Sequence, residues 1–154
     1  MPGLNFPPYK LRLKEDHGRK LIFDPVRRKF VVLTPEEWVR QHMIAFLLDK
    51  KHVPVGLIGV EKQLLINKMP RRFDITIYDR QGRPLALVEC KAPAIELTEK
   101  VFDQAARYNL QLNVDYCIVT NGMTTFCCRM DYGNCSYVFM EDIPEYDEML
   151  KYKV

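Results

Sequence analysis

The sequence predicts an α/β domain in which helices flank a mixed central β-sheet, with a small antiparallel β meander at the N-terminus. Short runs with a period of two or with continuous apolar character recur along the chain, as at residues 75–78 and 85–88. Two segments, 34–50 and 97–109, carry helix-start signals. The chain has 154 residues, 47% hydrophobic and 28% charged, which suffices for one domain with its own core.

The first third of the chain is expected to hold an arm, the meander and one long helix. Residues 1–8 contain three prolines and are predicted to be a loose arm. Three short strands are predicted to pack on the edge of the domain, at residues 9–13, 21–23 and 30–33. The run Thr34-Pro35-Glu36-Glu37 is a helix start, with Thr34 as cap, and the helix should reach about Lys50. Trp38 within it is expected to be largely buried.

The rest of the chain alternates strands with one further long helix. A strand is predicted at Leu57–Ile66, and a helix capped by Thr98 should run to Asn109. Later strands are predicted at Val114–Thr120, Thr124–Met130 and Ser136–Met140, followed by a short helix capped by Asp142 and a basic tail at Lys151 and Lys153. We therefore divide one domain into an N-terminal part (1–33), a core (34–122) and a C-terminal part (123–154).

A hairpin that carries charged residues at one end lies at the centre of the predicted core. Residues 75–78 and 85–88 are predicted to be paired strands, the second buried on both faces. We expect Asp74 to start the first strand, while Glu89 and Lys91, two residues apart, should point the same way. Charges at the end of a buried hairpin are costly unless something neutralises them. A divalent metal held between Asp74 and Glu89 would do so.

The pattern of Asp74, a hairpin and then Glu89-x-Lys91 resembles the active-site pattern of PD-(D/E)xK nucleases. Its wider context resembles the N-terminal nuclease domain of type I restriction enzyme R subunits, through Thr34–Gln41, Gln104-x-x-x-Tyr108-Asn109 and Thr120-Asn121-Gly122. The resemblance covers about residues 34–122. Phe73 stands where many such nucleases have proline, a position that varies widely. The resemblance implies a restriction-endonuclease-like fold and a metal-dependent endonuclease acting on DNA.

Roles for individual residues follow from the resemblance. The candidate catalytic residues are Asp74, Glu89, Lys91, Gln104 and Glu37. The candidate ligands of Mg²⁺ or Mn²⁺ are Asp74, Glu89 and the main-chain carbonyl of Cys90. The candidate nucleic-acid contacts are Arg71, Arg72, Arg40, Gln41, Tyr108 and Asn121.

Several of these residues have a second interpretation. Glu37 could serve the helix start alone or face the metal, and Glu36 and Glu61 are alternative acidic residues for that role. Glu61 is expected, by a small margin, to be an outward-facing charge on a half-exposed strand. Gln104 and Tyr108 share a helical face and on their own would be a surface pair.

Composition and cysteine usage exclude other classes of site. The five cysteines include no Cys-x-x-Cys and lie far from the three histidines, which argues against a zinc site or a disulfide scaffold. Buried free thiols are expected instead. The net charge of +3 permits binding to a polyanion without requiring it. Asn121-Gly122 is most often only a turn, and the basic runs 27–29 and 71–72 are, taken alone, typical of solvated faces.

The predicted setting is a cytoplasmic protein that acts on DNA. The sequence has no apolar run long enough to cross a membrane and no signal-peptide pattern. It also lacks a Gly-x-x-x-x-Gly-Lys-[Ser/Thr] loop, so a separate motor or specificity subunit is a candidate partner, as is a second copy of the chain. Two alternatives remain: a nuclease-like fold that binds nucleic acid or protein without cutting, and a coincidental Glu89–Lys91 pair in a plain α/β domain.

Overall fold

The computed structural model describes residues 1–66 and 68–152, which form two β-sheets and three α-helices. The smaller sheet is antiparallel, in the order β1 (Leu13–Asp16), β2 (Arg19–Asp24) and β3 (Lys29–Val32). The larger sheet follows sequence order and consists of β4 (Ile58–Ile66), β5 (Met69–Tyr78), β6 (Pro84–Cys90), β7 (Tyr116–Thr120), β8 (Thr125–Asp131) and β9 (Ser136–Met140). Only its β6–β7 pair is parallel, which confirms the predicted mixed sheet and N-terminal meander.

The three helices are α1 (Pro35–Asp49), α2 (Glu99–Asn109) and α3 (Tyr146–Lys151). The predicted caps of the two long helices are confirmed. The Thr34 hydroxyl accepts the Glu37 N–H at 3.0 Å, and the Thr98 hydroxyl accepts the Val101 N–H at 3.2 Å. Each cap satisfies one of the backbone donors that a helix leaves unpaired at its start.

The helices cover both faces of the larger sheet. Met43 and Leu47 of α1 share one apolar core with strand residues such as Val88, and Met149 of α3 joins them. On the opposite face, Phe102 of α2 packs in a second core with residues of β7 and β8. Strand β7 therefore lies between these two cores. Strand β6 lies between the main core and a smaller cluster that contains its Leu87, as its continuous apolar run predicted. Each large side chain buried here contributes about 1.5–3 kcal/mol.

The arm and α1 depart from the predictions. Residues 1–8 are not a loose arm, because the Asn5 N–H bonds to the Gly122 carbonyl at 2.7 Å and Leu4 and Phe6 pack on the main core. Trp38 is half-buried rather than largely buried, since it lies beside this arm and its indole N–H reaches the Pro2 carbonyl at 2.9 Å. The arm thus completes the outer surface of α1.

Three boundaries were also wrong. The first strand starts at Leu13 because Tyr9 instead contacts α1, through Asp49 at 3.1 Å. Asp74 lies inside β5, which begins five residues earlier at Met69. The last helix begins after Pro144, with Glu145 rather than Asp142 as cap, because a residue that precedes proline disfavours helical geometry. Lys153 of the predicted basic tail lies outside the described residues.

Two compositional expectations can also be compared with the structure. Four cysteines are buried as free thiols, as predicted, whereas Cys135 is exposed in the turn between β8 and β9. Among the described residues, no helix has both the length and the apolar character needed to cross a bilayer.

Candidate active site

Two carboxyl groups come together at one end of the β5–β6 hairpin. Ile75 pairs with Val88, so Asp74 and Glu89 are the next neighbours along the two antiparallel strands. Their side chains interact electrostatically, and the Cys90 N–H donates to Asp74 Oδ2 at 2.7 Å. The two carboxyl groups are therefore close enough for one ion to contact both.

The environment of this carboxyl pair favours a proton on Glu89. Burial raises the pKa of Glu89, the neighbouring charge of Asp74 raises it further, and the pKa reaches about 7 despite the opposing charge of Lys91. Burial also raises the pKa of Asp74, although the Cys90 N–H and Arg40 oppose the shift. Glu89 therefore takes up a proton as the pH falls towards neutrality, because two close carboxylates cannot both ionise easily.

Arg40 lies on the other side of Asp74 and binds three carboxyl groups, which we call the arginine cluster (Arg40, Glu37, Glu61 and Asp74). Its Nη1 is 2.6 Å from Glu61 and 3.5 Å from Asp74. Its Nε and Nη2 contact the two oxygens of Glu37 at 2.9 and 2.7 Å. The side chain of Arg40 is only 9% exposed, so this guanidinium offsets part of the charge of the three carboxylates where solvent screens little.

Glu37 is held within the cluster rather than free to face the carboxyl pair. Arg27, at 3.1 Å, and Gln41, at 3.0 Å, add to its two bonds from Arg40. Burial alone would raise the pKa of Glu37, but the hydrogen bonds from Arg40 and Gln41 outweigh it and lower the pKa. Glu36 is exposed on the first turn of α1, where its charge acts on Glu89.

Glu61 faces inward, which corrects the expectation of an outward-facing charge. It lies in β4 between two registered pairs, Val60 with Ile75 and Lys62 with Phe73, and so stands opposite Asp74. Its backbone has φ of +57°, a left-handed conformation that costs a non-glycine residue about 1–2 kcal/mol. This strained position directs the Glu61 carboxylate to Arg40.

A groove of about 450 Å³ opens on the Glu89 side of the pair. Six of the predicted site residues line it, from β5, from the end of β6 and from α2: Arg71, Arg72, Glu89, Lys91, Gln104 and Tyr108. The Arg71 guanidinium lies 4.4 Å from the centre of the Tyr108 ring, which holds it over that face. Arg72, Lys91 and Gln104 are exposed.

Other predicted residues do not reach the groove. Arg40 and Gln41 are buried in the arginine cluster and its surroundings. Asn121 is also buried, where its side-chain oxygen accepts the N–H groups of Met123 and Thr124 and its amide donates to the Ile95 carbonyl at 2.7 Å.

The groove also has apolar lining that the sequence analysis did not name. Val101 and Ala105 of α2 line it beside Gln104 and Tyr108. Positions 101, 104, 105 and 108 lie on one face of a helix. The predicted face of Gln104 and Tyr108 was therefore sufficient to find the two apolar residues.

The donor set fits a hard divalent cation of the magnesium type. No group of three or more His, Cys, Asp or Glu side chains is arranged for metal binding within residues 1–66 and 68–152. Asp74 and Glu89 nevertheless offer two adjacent carboxyl groups that are only partly screened from solvent. Mg²⁺ is commonly held by one or two carboxylates and keeps several waters, so a larger set of side chains is not required.

The structure thus defines a mixed α/β domain with an adjacent carboxyl pair and a neighbouring lysine at the end of a central hairpin. Residues 35–144 match the family described as type I restriction enzyme R protein N terminus, and the chain belongs to this family. No curated protein matches the sequence.

One solved structure similar to the chain is a fragment assigned to the HsdR subunit of a type I restriction enzyme from Vibrio vulnificus YJ016. The sequence identity is 19% and the TM-score is 0.47. The match covers 70% of the present chain but only 23% of the Vibrio chain.

Proposed function

We propose that the protein is a divalent-metal-dependent nuclease of the PD-(D/E)xK type that hydrolyses phosphodiester bonds in DNA. The observation that supports this most directly is the carboxyl pair of Asp74 and Glu89, adjacent on paired strands at the edge of a groove that also contains Lys91. Membership of the R-protein family agrees with it, since restriction enzymes act on DNA.

The proposed roles follow from position. Asp74, Glu89 and the carbonyl of Cys90 would hold Mg²⁺ or Mn²⁺. Such a cation, when bound, lowers the pKa of an attacking water and offsets charge on the phosphoryl oxygens. Lys91 extends into the groove as an exposed cation, so it can orient that water or stabilise charge on a phosphate.

The groove supplies a path for the substrate. Arg71 and Arg72 line it on β5, where they can contact phosphates, while Gln104 and Tyr108 line it on α2. The stacking of Arg71 on Tyr108 restricts the arginine before any substrate binds. We extend the proposal to a partner chain that would supply the motor or the sequence specificity, as the R-protein family suggests.

A cleavage assay tests the proposal directly. The purified chain is incubated with plasmid DNA and with a single-stranded oligonucleotide in Mg²⁺, Mn²⁺ or EDTA. We expect cleavage with a metal, none with EDTA, and a loss of at least about 100-fold in Lys91→Ala, the scale typical of a lost catalytic group.

The matched control is Lys151→Ala on α3. This lysine is exposed and, within the described part of the chain, forms an exposed ion pair with Glu148, so its removal should leave cleavage unchanged. If the folded wild-type chain cuts neither DNA with either metal, the proposal of an independent nuclease is wrong.

One observation favours a second candidate, a domain that binds DNA without cutting it. Arg40 offsets part of the charge of Asp74 from one side, and the raised pKa of Glu89 favours its neutral form, so the carboxyl pair depends less on a metal for its neutralisation. Calorimetry with Mn²⁺ distinguishes the two candidates. The nuclease requires Mn²⁺ binding that Glu89→Gln weakens, whereas the binding domain would show DNA binding and no uptake of the ion.

A further inference from the structure

The positive charge of the chain is concentrated in the N-terminal meander and the three residues that precede it. Residues 10–29 contain eight Lys or Arg and three Asp or Glu, which gives a net charge of +5. The whole chain carries +3, so the remaining residues together carry −2. The meander precedes residues 35–144, the part that matches the R-protein family. Neither the family match nor the proposed nuclease chemistry accounts for this charge.

One face of the meander combines the cations with aromatic rings. In the registered strands, Lys14 lies opposite Leu21, and Phe23 lies opposite Phe30. The Arg12 guanidinium is 4.4 Å from the centre of the Phe23 ring, and the Lys14 ammonium is 4.3 Å from that of Phe30. Both residues are exposed, so the rings restrict the two charged groups on one side and leave their other side open to solvent.

The opposite face attaches the meander to the body of the domain. Ile22 is fully buried, and so is Asp24, which binds Arg27 at 2.6 Å. Arg27 in turn contacts Glu37 of α1 at 3.1 Å. The meander is thus fixed beside the first turn of α1, in direct connection with the arginine cluster that borders the carboxyl pair.

We propose that the outer face of the meander, formed by Arg12, Lys14, Arg19, Phe23 and Phe30, is a second DNA-binding surface that contacts the phosphate backbone. Cations that are exposed and restricted by aromatic contacts suit phosphates, and a backbone contact requires no sequence recognition. Asp16, paired with Arg19, is the acidic residue at this end of the sheet. The inference shares its ligand with the proposed function but depends on different residues.

Binding measured in EDTA tests this surface without cleavage. Fluorescence anisotropy with a labelled 20-base-pair duplex compares the wild type with the double variant Arg12→Gln/Lys14→Gln, which keeps part of each stem over the rings. We expect about tenfold weaker binding at low salt and a slope of log K against log salt that is smaller by about two, because two phosphate contacts are lost. The matched control, Arg83→Gln/Lys151→Gln, also removes one exposed Arg and one exposed Lys and should leave both quantities unchanged.

A second measurement uses only the wild-type chain and so does not depend on the variant's folding. Acetylation of lysine amines, followed by mass spectrometry, should show that the duplex protects Lys14 more than Lys151. An unchanged salt slope in the folded variant, or equal acetylation of the two lysines, would overturn the proposal.

The outcome is separable from that of the nuclease proposal. Lys91 lies outside this surface. In a Lys91→Ala background, DNA binding should therefore still weaken when Arg12 and Lys14 are replaced, whether or not the wild type cuts DNA. If the wild type cuts no DNA but its binding still depends on Arg12 and Lys14, that result would count against the nuclease proposal alone.

Discussion

Two regions that meet at the end of the β5–β6 hairpin treat charge in opposite ways. In the arginine cluster, three carboxylates surround one buried guanidinium, and both oxygens of Glu37 accept hydrogen bonds. In the groove, Lys91, Arg72 and Gln104 are exposed. Asp74 and Glu89 stand between them, with Asp74 next to Arg40 and Glu89 lining the groove.

The charges of the arginine cluster stabilise the fold, whereas those of the groove are available to a ligand. Buried ion pairs restrict conformation and are costly to break, whereas exposed groups cost little to change. Variants in the cluster should therefore affect folding first, and variants in the groove should affect DNA first. The predictions below test this division in order of expected size.

Removal of the central guanidinium should have the largest effect. Arg40→Ala leaves Glu61 and Asp74 without their nearest cation and Glu37 with only Arg27. We expect a loss of about 3–5 kcal/mol in the free energy of unfolding, as for other broken buried pairs. Urea denaturation at pH 7 measures it.

The matched control is Arg72→Ala, an exposed arginine of β5. It should change the free energy of unfolding by less than about 0.5 kcal/mol. Equal effects of the two substitutions would contradict the division between cluster and groove. Arg40→Lys should not restore stability, because an ammonium cannot reproduce the planar fork that spans these carboxylates.

The carboxyl pair should make stability fall as pH rises. The pKa of Glu89 is about 7 in the folded chain and 4.5 when unperturbed, so the folded state binds the proton more tightly. This stabilisation is complete below about pH 4.5 and is lost between there and pH 7. It amounts to about 3 kcal/mol at 1.36 kcal/mol per unit of pKa. The raised pKa of Asp74 acts in the same direction.

Glu89→Gln isolates this contribution. Thermal unfolding of both chains from pH 5 to pH 8 should show that the variant gains stability relative to the wild type as pH rises. Glu141→Gln, at an exposed position, should show the same pH dependence of thermal stability as the wild type. If a cation binds as proposed, Mn²⁺ should stabilise the wild type at pH 8 more than at pH 5, and should not stabilise Glu89→Gln at either pH. A pH-independent difference between wild type and Glu89→Gln would show that Glu89 does not take up the proton as described.

The sequence predicted the hairpin and α2 side of the site better than the α1 side. Glu89, Lys91, Gln104 and Tyr108 come from segments whose strand and helix periods are clear, and the groove brings them together. The arginine cluster depends on Glu61, which has a left-handed backbone conformation inside a strand. No local sequence pattern predicts that conformation. Arg40 was predicted to be a nucleic-acid contact because spacing cannot reveal which cation becomes enclosed by carboxylates from three elements.

The smallest predicted effect tests that left-handed residue. Both Glu61→Ala and Glu61→Gly remove the contact with Arg40, but only glycine adopts a φ of +57° without strain. We therefore expect the glycine variant to be about 1 kcal/mol more stable than the alanine variant in urea denaturation. At Gln63, an exposed position of the same strand with no positive φ, the order should reverse, because glycine weakens an ordinary strand. If alanine is more stable than glycine at both positions, the Glu61 backbone relaxes when its side chain is removed. The ion pair with Arg40, rather than the fold of β4, would then hold the left-handed conformation in place.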